Sequence, residues 1–327
     1  MLTRRHVLGS TVAVVGSAAS GPFASAQDAK FPARTLKIVV PFAAGGGVDV
    51  FARLLGEKIS QSTGASVVVE NRPGASNTIA AELTARAAPD GTTLLLATNT
   101  GQAVAPHLLK LKYDPLKDLQ AIGLVAIMPN VLVVSSNSPI KSVKDLLTAM
   151  AAKPGGFKYA SSGIGSTQHV GGEAFGLVTS TKSIHIPYKG SSQAHIDVIS
   201  GEVDMMFDST SSAMGQIKAG KFRALAVASP KRSAELPDVP TLAEQGVKGA
   251  DVSTWYGLFV TAGTPKPVVD RLNAELSRDL ALPDVQTRIK GLGGEISVMG
   301  IDQFADFNRG EFERYGKIVR DANIKAE

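Results

Sequence analysis

Three hundred and twenty-seven residues exceed one ordinary core and suit two domains, and 44% hydrophobic with 19% charged residues is a globular composition, neither disordered nor polytopic. Lys plus Arg number 34 against 29 Asp plus Glu, a net +5 without a basic run, and aromatics are only 6%, which argues against a nucleic-acid groove with stacking platforms. Zero cysteines exclude disulfides, zinc ribbons, thiol catalysis and cysteine-held iron–sulfur clusters.

The chain opens with Arg4 and Arg5, an apolar run from Val7 to about Ala19, and the small residues Ala24, Ser25 and Ala26, the three parts of an export signal. The run is shorter than the roughly 20 residues that a spanning helix needs, so cleavage after about Ala26 and release into the periplasm are expected. Thr3 to Leu8 resembles a twin-arginine signal, but general secretion signals also carry paired basic residues, and the route stays open. Loss of Arg4 and Arg5 leaves 32 basic against 29 acidic residues, a net +3.

Along the mature chain, Thr35–Val40 reads as a strand, followed by a glycine loop and a helix on which Val48, Phe51, Leu55 and Ile59 recur at helical spacing. A strand at Ser66–Glu70, a helix at Ile79–Ala88 and a strand at Thr93–Ala97 continue the alternation. This is the pattern of an α/β protein with a mainly parallel sheet and flanking helices. After Val131–Val134 it starts again: helix 143–151, strand 157–160, helix 167–178, strand 183–186, helix 193–199, strand 203–207, helix 212–219 and strand 222–228. Residues 230–240 form a loop, and two amphipathic helices at 267–280 and 304–319 are expected to pack back on the first half. Without a flexible linker, the chain should pass between the halves in extended crossings near Ile122–Met128 and Val252–Val260. Domain 1 is then 27–125 plus 253–327, domain 2 is 126–252, and a ligand cleft lies between them.

Two loops stand out, each at the carboxyl end of a strand and opening a helix, where open α/β sheets hold ligands. In the first, Phe42, Ala44, Gly45 and Gly46 lead into a helix whose free N–H groups suit a carboxylate or phosphate. A plain tight turn is the alternative. Asp49 either interacts with the helix N-terminus or orients a ligand donor or water. Val50 replaces the third glycine of a dinucleotide fingerprint, so that cofactor is not expected. The second loop carries Ser162, Gly163, Ser166, Thr167 and His169, small neutral donors around an oxyanion, with Ser166 equally able to serve as a helix cap. Thr98 and Asn99 follow one strand, Tyr188 and Lys189 another, and Asp208 a third, completing the candidate set.

Other chemistry is poorly supported. Residues 215–222 match a phosphate-binding loop until Phe222 replaces the magnesium-binding hydroxyl, and they run from helix into strand. No histidine pair has metal-ligand spacing, and Ser166 with His169 lacks the nucleophile-elbow context, so neither a metal, a cofactor nor catalysis is expected. Trp255 and Tyr256 fall on the return crossing, where packing is the main reading and a cleft wall the other.

Pro41-Phe42 with Gly45-Gly46 and 49–53, 69–75, Ser162-Gly163 with Ser166 and His169, 186–190, 236–241, and 255–257 with 263–265 occur here in an order that resembles the solute-binding receptors of tripartite tricarboxylate transporters, the Bug family. The resemblance spans nearly the whole mature chain. It implies a type II-like two-domain periplasmic binding fold that closes on a small carboxylate and hands it to a membrane permease. It further implies that main-chain groups of Phe42, Ala44 and Gly46 face Ser162, Gly163 and Ser166 around one carboxylate, with Asp49 helping to orient them. Di- and tricarboxylates, amino acids and aromatic acids are all family ligands, and a monomer is expected. A sensory module signalling to a membrane kinase and an exported hydrolase are the rival readings. Asn77 departs from the pattern, standing where glycine is frequent.

Overall fold

A computed structural model describes residues 35–326; the export segment 1–26 lies outside the described residues. Strand β1 (Thr35–Val40) enters helix α1 (Gly47–Thr63), which buries Val48, Phe51, Ala52, Leu55 and Ile59 on one stripe and ends where Gly64 turns left-handed at φ 74°. β2 (Ser66–Asn71), α2 (Thr78–Ala85) and β3 (Thr93–Thr98) follow, and β1 lies between β2 and β3 in parallel register. A π-helical turn over 100–104 and a short α3 (Ala105–Leu108) follow β3.

β4 (Leu119–Ser135) is one 17-residue strand, where the sequence suggested a crossing and a separate short strand. Its first part, 119–129, pairs antiparallel with β9 (Ser253–Thr261), which itself pairs antiparallel with β3. From Asn130 onward β4 changes partners, lying between β7 (Met205–Ser209) and β8 (Phe222–Ala228), both antiparallel. Pro129 sits at this exchange, a place where its missing N–H breaks no continuous ladder. Between these strands run α4 (Val143–Ala152), β5 (Phe157–Ser161), α5 (Thr167–Thr179), β6 (Ser183–Pro187), α6 (Ser191–Ser200) and α7 (Thr210–Lys218), with β5 parallel to β6 and β7. The result is a curled mixed sheet, parallel toward its ends and antiparallel along β3, β9, β4, β7 and β8. The two lobes join through β4 and β9.

Each lobe has its own core, one around Trp255, Phe259 and Phe304, the other around Tyr159, Phe175 and Phe207. α8 (Lys266–Ala281), α9 (Pro283–Gly291), which the sequence reading did not anticipate, and α10 (Ile301–Asp321) close the chain. α10 does more than cover the first lobe: Tyr315 and Val319 share a buried cluster with Val170 and Ala174 of α5 in the second. Tyr315 Oη accepts from Asn99 Nδ2 at 2.7 Å and donates to the Ser253 carbonyl at 2.9 Å, fixing the start of β9.

Candidate functional site

Between the lobes lies a cavity of about 860 Å³, inside the roughly 300–1,000 Å³ range of small-molecule sites. Residues 41–48 border it from the first lobe. Gly45 sits at φ 84°, a left-handed conformation that favours glycine, and its N–H donates to Asp49 Oδ2 at 2.9 Å. Asp49 is 3% exposed and lies behind this loop, not in the cavity wall. Its oxygens also accept from Arg53 Nε and Nη2, both at 3.0 Å, and from Asn71 Nδ2 at 3.0 Å, while Asn71 reaches the Phe42 carbonyl at 2.9 Å. Burial opposes ionisation of Asp49, but hydrogen bonds from Arg53, Gly45 and Asn71 outweigh it and hold the carboxyl below its ordinary range. The carboxylate therefore pins the loop. Its helix α1 has Gly46 as N-cap and no side-chain cap, which leaves first-turn N–H groups for a ligand.

The second loop is pinned in a comparable way. Gly163 and Gly165 adopt φ 129° and 73°. Ser161 Oγ donates to the Gly163 carbonyl and accepts from its N–H, both at 3.1 Å, and meets His185 Nε2 at 2.6 Å. Gly165 N–H donates to His169 Nδ1 at 3.1 Å, which requires that nitrogen to be unprotonated. His169 and His185 stack with centroids 3.8 Å apart. Burial, reinforced by the neighbouring ring, lowers the His169 pKa to about 3, and burial lowers that of His185 to about 4, so both imidazoles are neutral near pH 7. His169 thus supports the loop from behind. Ser166 is the N-cap of α5, its Oγ accepting from His169 N–H at 3.3 Å.

Of the residues singled out from sequence, Phe42, Ala44, Gly45, Gly46, Ser162, Gly163, Ser166, Thr167, Tyr188 and Lys189 line the cavity. Asp49, Thr98, Asn99, His169 and Asp208 do not. Thr98 Oγ1 accepts from Asn77 Nδ2 at 3.1 Å, and Asn99 is turned inward by the π-helical turn toward Tyr315 and Ser253. Asp208 is fully buried: Oδ1 accepts from Gln168 Nε2 (3.1 Å), Ser191 Oγ (2.9 Å) and Ser209 N–H (2.9 Å), and Oδ2 from His195 Nε2 (2.6 Å). Ser191 and His195 both bond this carboxylate rather than each other, so no Ser–His relay is formed there.

Wall residues outside the candidate set include Ser76, Ser191, Ser211 and Ser212, and also Tyr256, for which a cleft wall was the second reading. Tyr256 stands edge-on to Phe51 with centroids 4.9 Å apart and meets Ser211 Oγ at 3.0 Å, whereas its neighbour Trp255 is wholly buried in the core. Ser76 and Asn77 take φ 52° and 74°; the left-handed backbone at 77 accounts for the glycine preference there, and Asn is the side chain that tolerates it best. Ser76 Oγ donates across the cleft to the Ile164 carbonyl at 2.7 Å.

The N-caps of α1, α5, α6 and α7, namely Gly46, Ser166, Gly190 and Ser209, all border this one cavity, and α1, α6 and α7 lack side-chain caps. Among the described residues its lining holds Lys189 and His195 but no Asp, Glu or Arg. Converging helix N-termini with neutral donors and no lining carboxylate are suited to an anion.

Residues 51–324 match the family model described as the tripartite tricarboxylate transporter family receptor, TctC. The chain belongs to this receptor family. It is 39% identical to a UPF0065 protein from the tcbD-tcbE intergenic region of Pseudomonas sp. strain P51, over 90% of this chain and 88% of that one. Among solved structures it resembles the periplasmic binding protein BugD (36% identity, TM-score 0.84, 91% of this chain and 100% of that chain). Rpa4515 of R. palustris with adipate gives 32% identity and TM-score 0.87 over 90% and 99% of the two chains. MatC of Rhodopseudomonas palustris with bound malate gives 33% and 0.83 over 88% and 100%. The fold of this receptor is accordingly the two-domain periplasmic binding fold, and its family is one of solute-binding receptors, not of enzymes.

Proposed function

We propose that this receptor is exported, loses its leader after about Ala26, and as a periplasmic monomer binds a small carboxylate between its lobes for delivery to a tripartite tricarboxylate transporter permease. One observation carries the reading: four helix N-termini, three without side-chain caps, meet at a single cavity whose described lining has no carboxylate. That R. palustris relatives were solved with adipate and malate supports the same ligand class. Main-chain groups of Phe42, Ala44 and Gly46 hold one carboxylate from the first lobe, and Ser162, Gly163 and Ser166 from the second. Asp49 and His169 act one layer back by holding these loops. The lobes, 27–125 plus 253–327 and 126–252, close by hinge motion in β4 and β9. Thermal-shift screening of the purified receptor against carboxylic acids tests this, because a ligand specific for the fold raises Tm by mass action. Recovery of the acid chemically unchanged is the expected outcome, and turnover of it would refute a receptor role.

A further inference from the structure

Resting on that carboxylate reading, we infer that the serine-lined part of the cavity at the start of α7 recognises hydroxyl groups and that its ligand is a polyhydroxylated acid. The N-terminus of α7 borders the cavity. Ser209 is its N-cap, a position where a serine hydroxyl ordinarily accepts from the first helical turn, yet no side-chain cap is formed. Its Oγ instead donates to Ser212 Oγ at 3.1 Å and meets Ser211 Oγ at 3.1 Å, and Ser211 continues to Tyr256 Oη at 3.0 Å. All four residues line the cavity. A hydroxyl offers one donor and two lone pairs, so such a chain keeps unfilled capacity of both kinds and can rotate to meet ligand hydroxyls that themselves both donate and accept. Phe42 and Val48 border the same cavity from the first lobe and supply apolar surface for the C–H side of a polyol.

The charge inventory separates this class from its rivals. An α-ammonium group is held most strongly by a carboxylate, and the two nearby, Asp49 and Asp208, lie outside the lining with both oxygens of each already accepting from protein donors. An unsubstituted aliphatic diacid would leave the hydroxyl chain facing methylenes, forfeiting each hydrogen bond that a ligand hydroxyl would make.

Two matched pairs isolate the hydroxyls: gluconate against hexanoate, and glucarate against adipate, measured by calorimetry on the mature protein with aspartate as the ammonium-bearing control. Each hydroxylated acid is expected to bind at least about tenfold more tightly than its partner, equivalent to one or two net hydrogen bonds, and aspartate more weakly than either hydroxylated acid. Ser212→Ala should shrink the ratio within each pair, weakening the hydroxylated acid more than its unsubstituted partner. Adipate or hexanoate binding as tightly as its hydroxylated partner, aspartate binding more tightly than either hydroxylated acid, or a ratio insensitive to Ser212→Ala would overturn the inference and leave the carboxylate reading intact. Failure of every one of these acids to bind would instead overturn the carboxylate reading.

Discussion

Gly47 is where the fold leaves least room at the ligand mouth. A Cβ built there would lie 2.6 Å from Ser211 Oγ, 3.2 Å from Ser211 Cβ and 3.0 Å from Tyr256 Oη, whereas at Gly46 the nearest atom, the Ala43 carbonyl oxygen, would be 3.7 Å away. Gly47→Ala therefore acts on the contact between the N-termini of α1 and α7, not on the loop itself. Ser211 can swing its hydroxyl aside, but that breaks its bond to Tyr256, costing about 0.5–1.5 kcal/mol, and relieving the Cβ contact adds overpacking of about 1 kcal/mol or more. Glycine-to-alanine helix propensity returns at most about 1 kcal/mol, and less at the first helical position. A net penalty of about 1–2 kcal/mol falls on the closed arrangement alone, because parting the lobes removes the clash. Calorimetry with a bound carboxylate should then show affinity falling by about 5- to 30-fold, while the unliganded Tm stays level or rises. An unchanged Kd would mean that α1 and α7 do not approach in the liganded receptor, and would refute this closure geometry.

Asp49→Asn should lower stability at neutral pH by about 1–3 kcal/mol, since it removes the charge from a group bonded to Arg53, Asn71 and Gly45 N–H. The folded pKa lies below the unfolded one, so this contribution is present above the ordinary value of about 3.9 and disappears as pH falls through the lower folded value; denaturant titrations in which the difference from wild type persists in acid would contradict it. His169 and His185 produce a pH dependence at higher pH: below about 6.5 the unfolded chain takes up protons that the folded rings refuse, so stability should drop from pH 6.5 toward 4. His185→Gln should flatten that slope by up to about 1.4 kcal/mol per pH unit, and equal slopes for variant and wild type would show that the ring is not held neutral. Ser76→Ala removes the bond to the Ile164 carbonyl across the cleft and should speed ligand release about 2- to 12-fold in stopped-flow experiments; an unaltered off-rate would mean that this bond does not hold the lobes together.

Local rules sufficed where a segment's neighbours in sequence were also its neighbours in space. The β-branched run of β1, the stripe on α1 and the glycines at 45, 163 and 165 specify strand, helix and left-handed turns without distant help, and the strand–loop–helix order placed both glycine loops that border the cavity. Thr98, Asn99 and Asp208 also end strands, but what turns them inward lies far along the chain: Asn77 for Thr98, Tyr315 and Ser253 for Asn99, and Gln168 with Ser191 and His195 for Asp208. No period in the sequence encodes those meetings. Ser209, Ser211 and Ser212 were overlooked for the opposite reason. Serines at a helix start read as caps, and only the observed bonds among them show that the hydroxyls are used otherwise. The continuous β4 was obscured by Pro129, which locally denies a strand but in the fold marks where one set of partners gives way to another.

The two lobes solve one electrostatic problem in the same manner. An anion site made of main-chain and hydroxyl donors must hold those donors in place before the ligand arrives, and glycine loops alone are too free to do so. Asp49 holds the first loop through Gly45 N–H, and Asp208 holds the start of α7 through Ser209 N–H and that of α6 through Ser191. A buried carboxylate next to an anion site would repel the ligand if left bare. Asp49 is paired with Arg53, and the Asp208 oxygens accept from His195, Gln168, Ser191 and the Ser209 N–H, so neither carboxylate faces the cavity bare. On the carboxylate reading proposed above, the incoming anion then meets mainly neutral dipoles. Such donors fix orientation without the deep well of a buried Arg–carboxylate pair, whose rupture costs several kcal/mol. The shallower well suits the delivery to a permease proposed above, because most differences in affinity appear in the rate of escape.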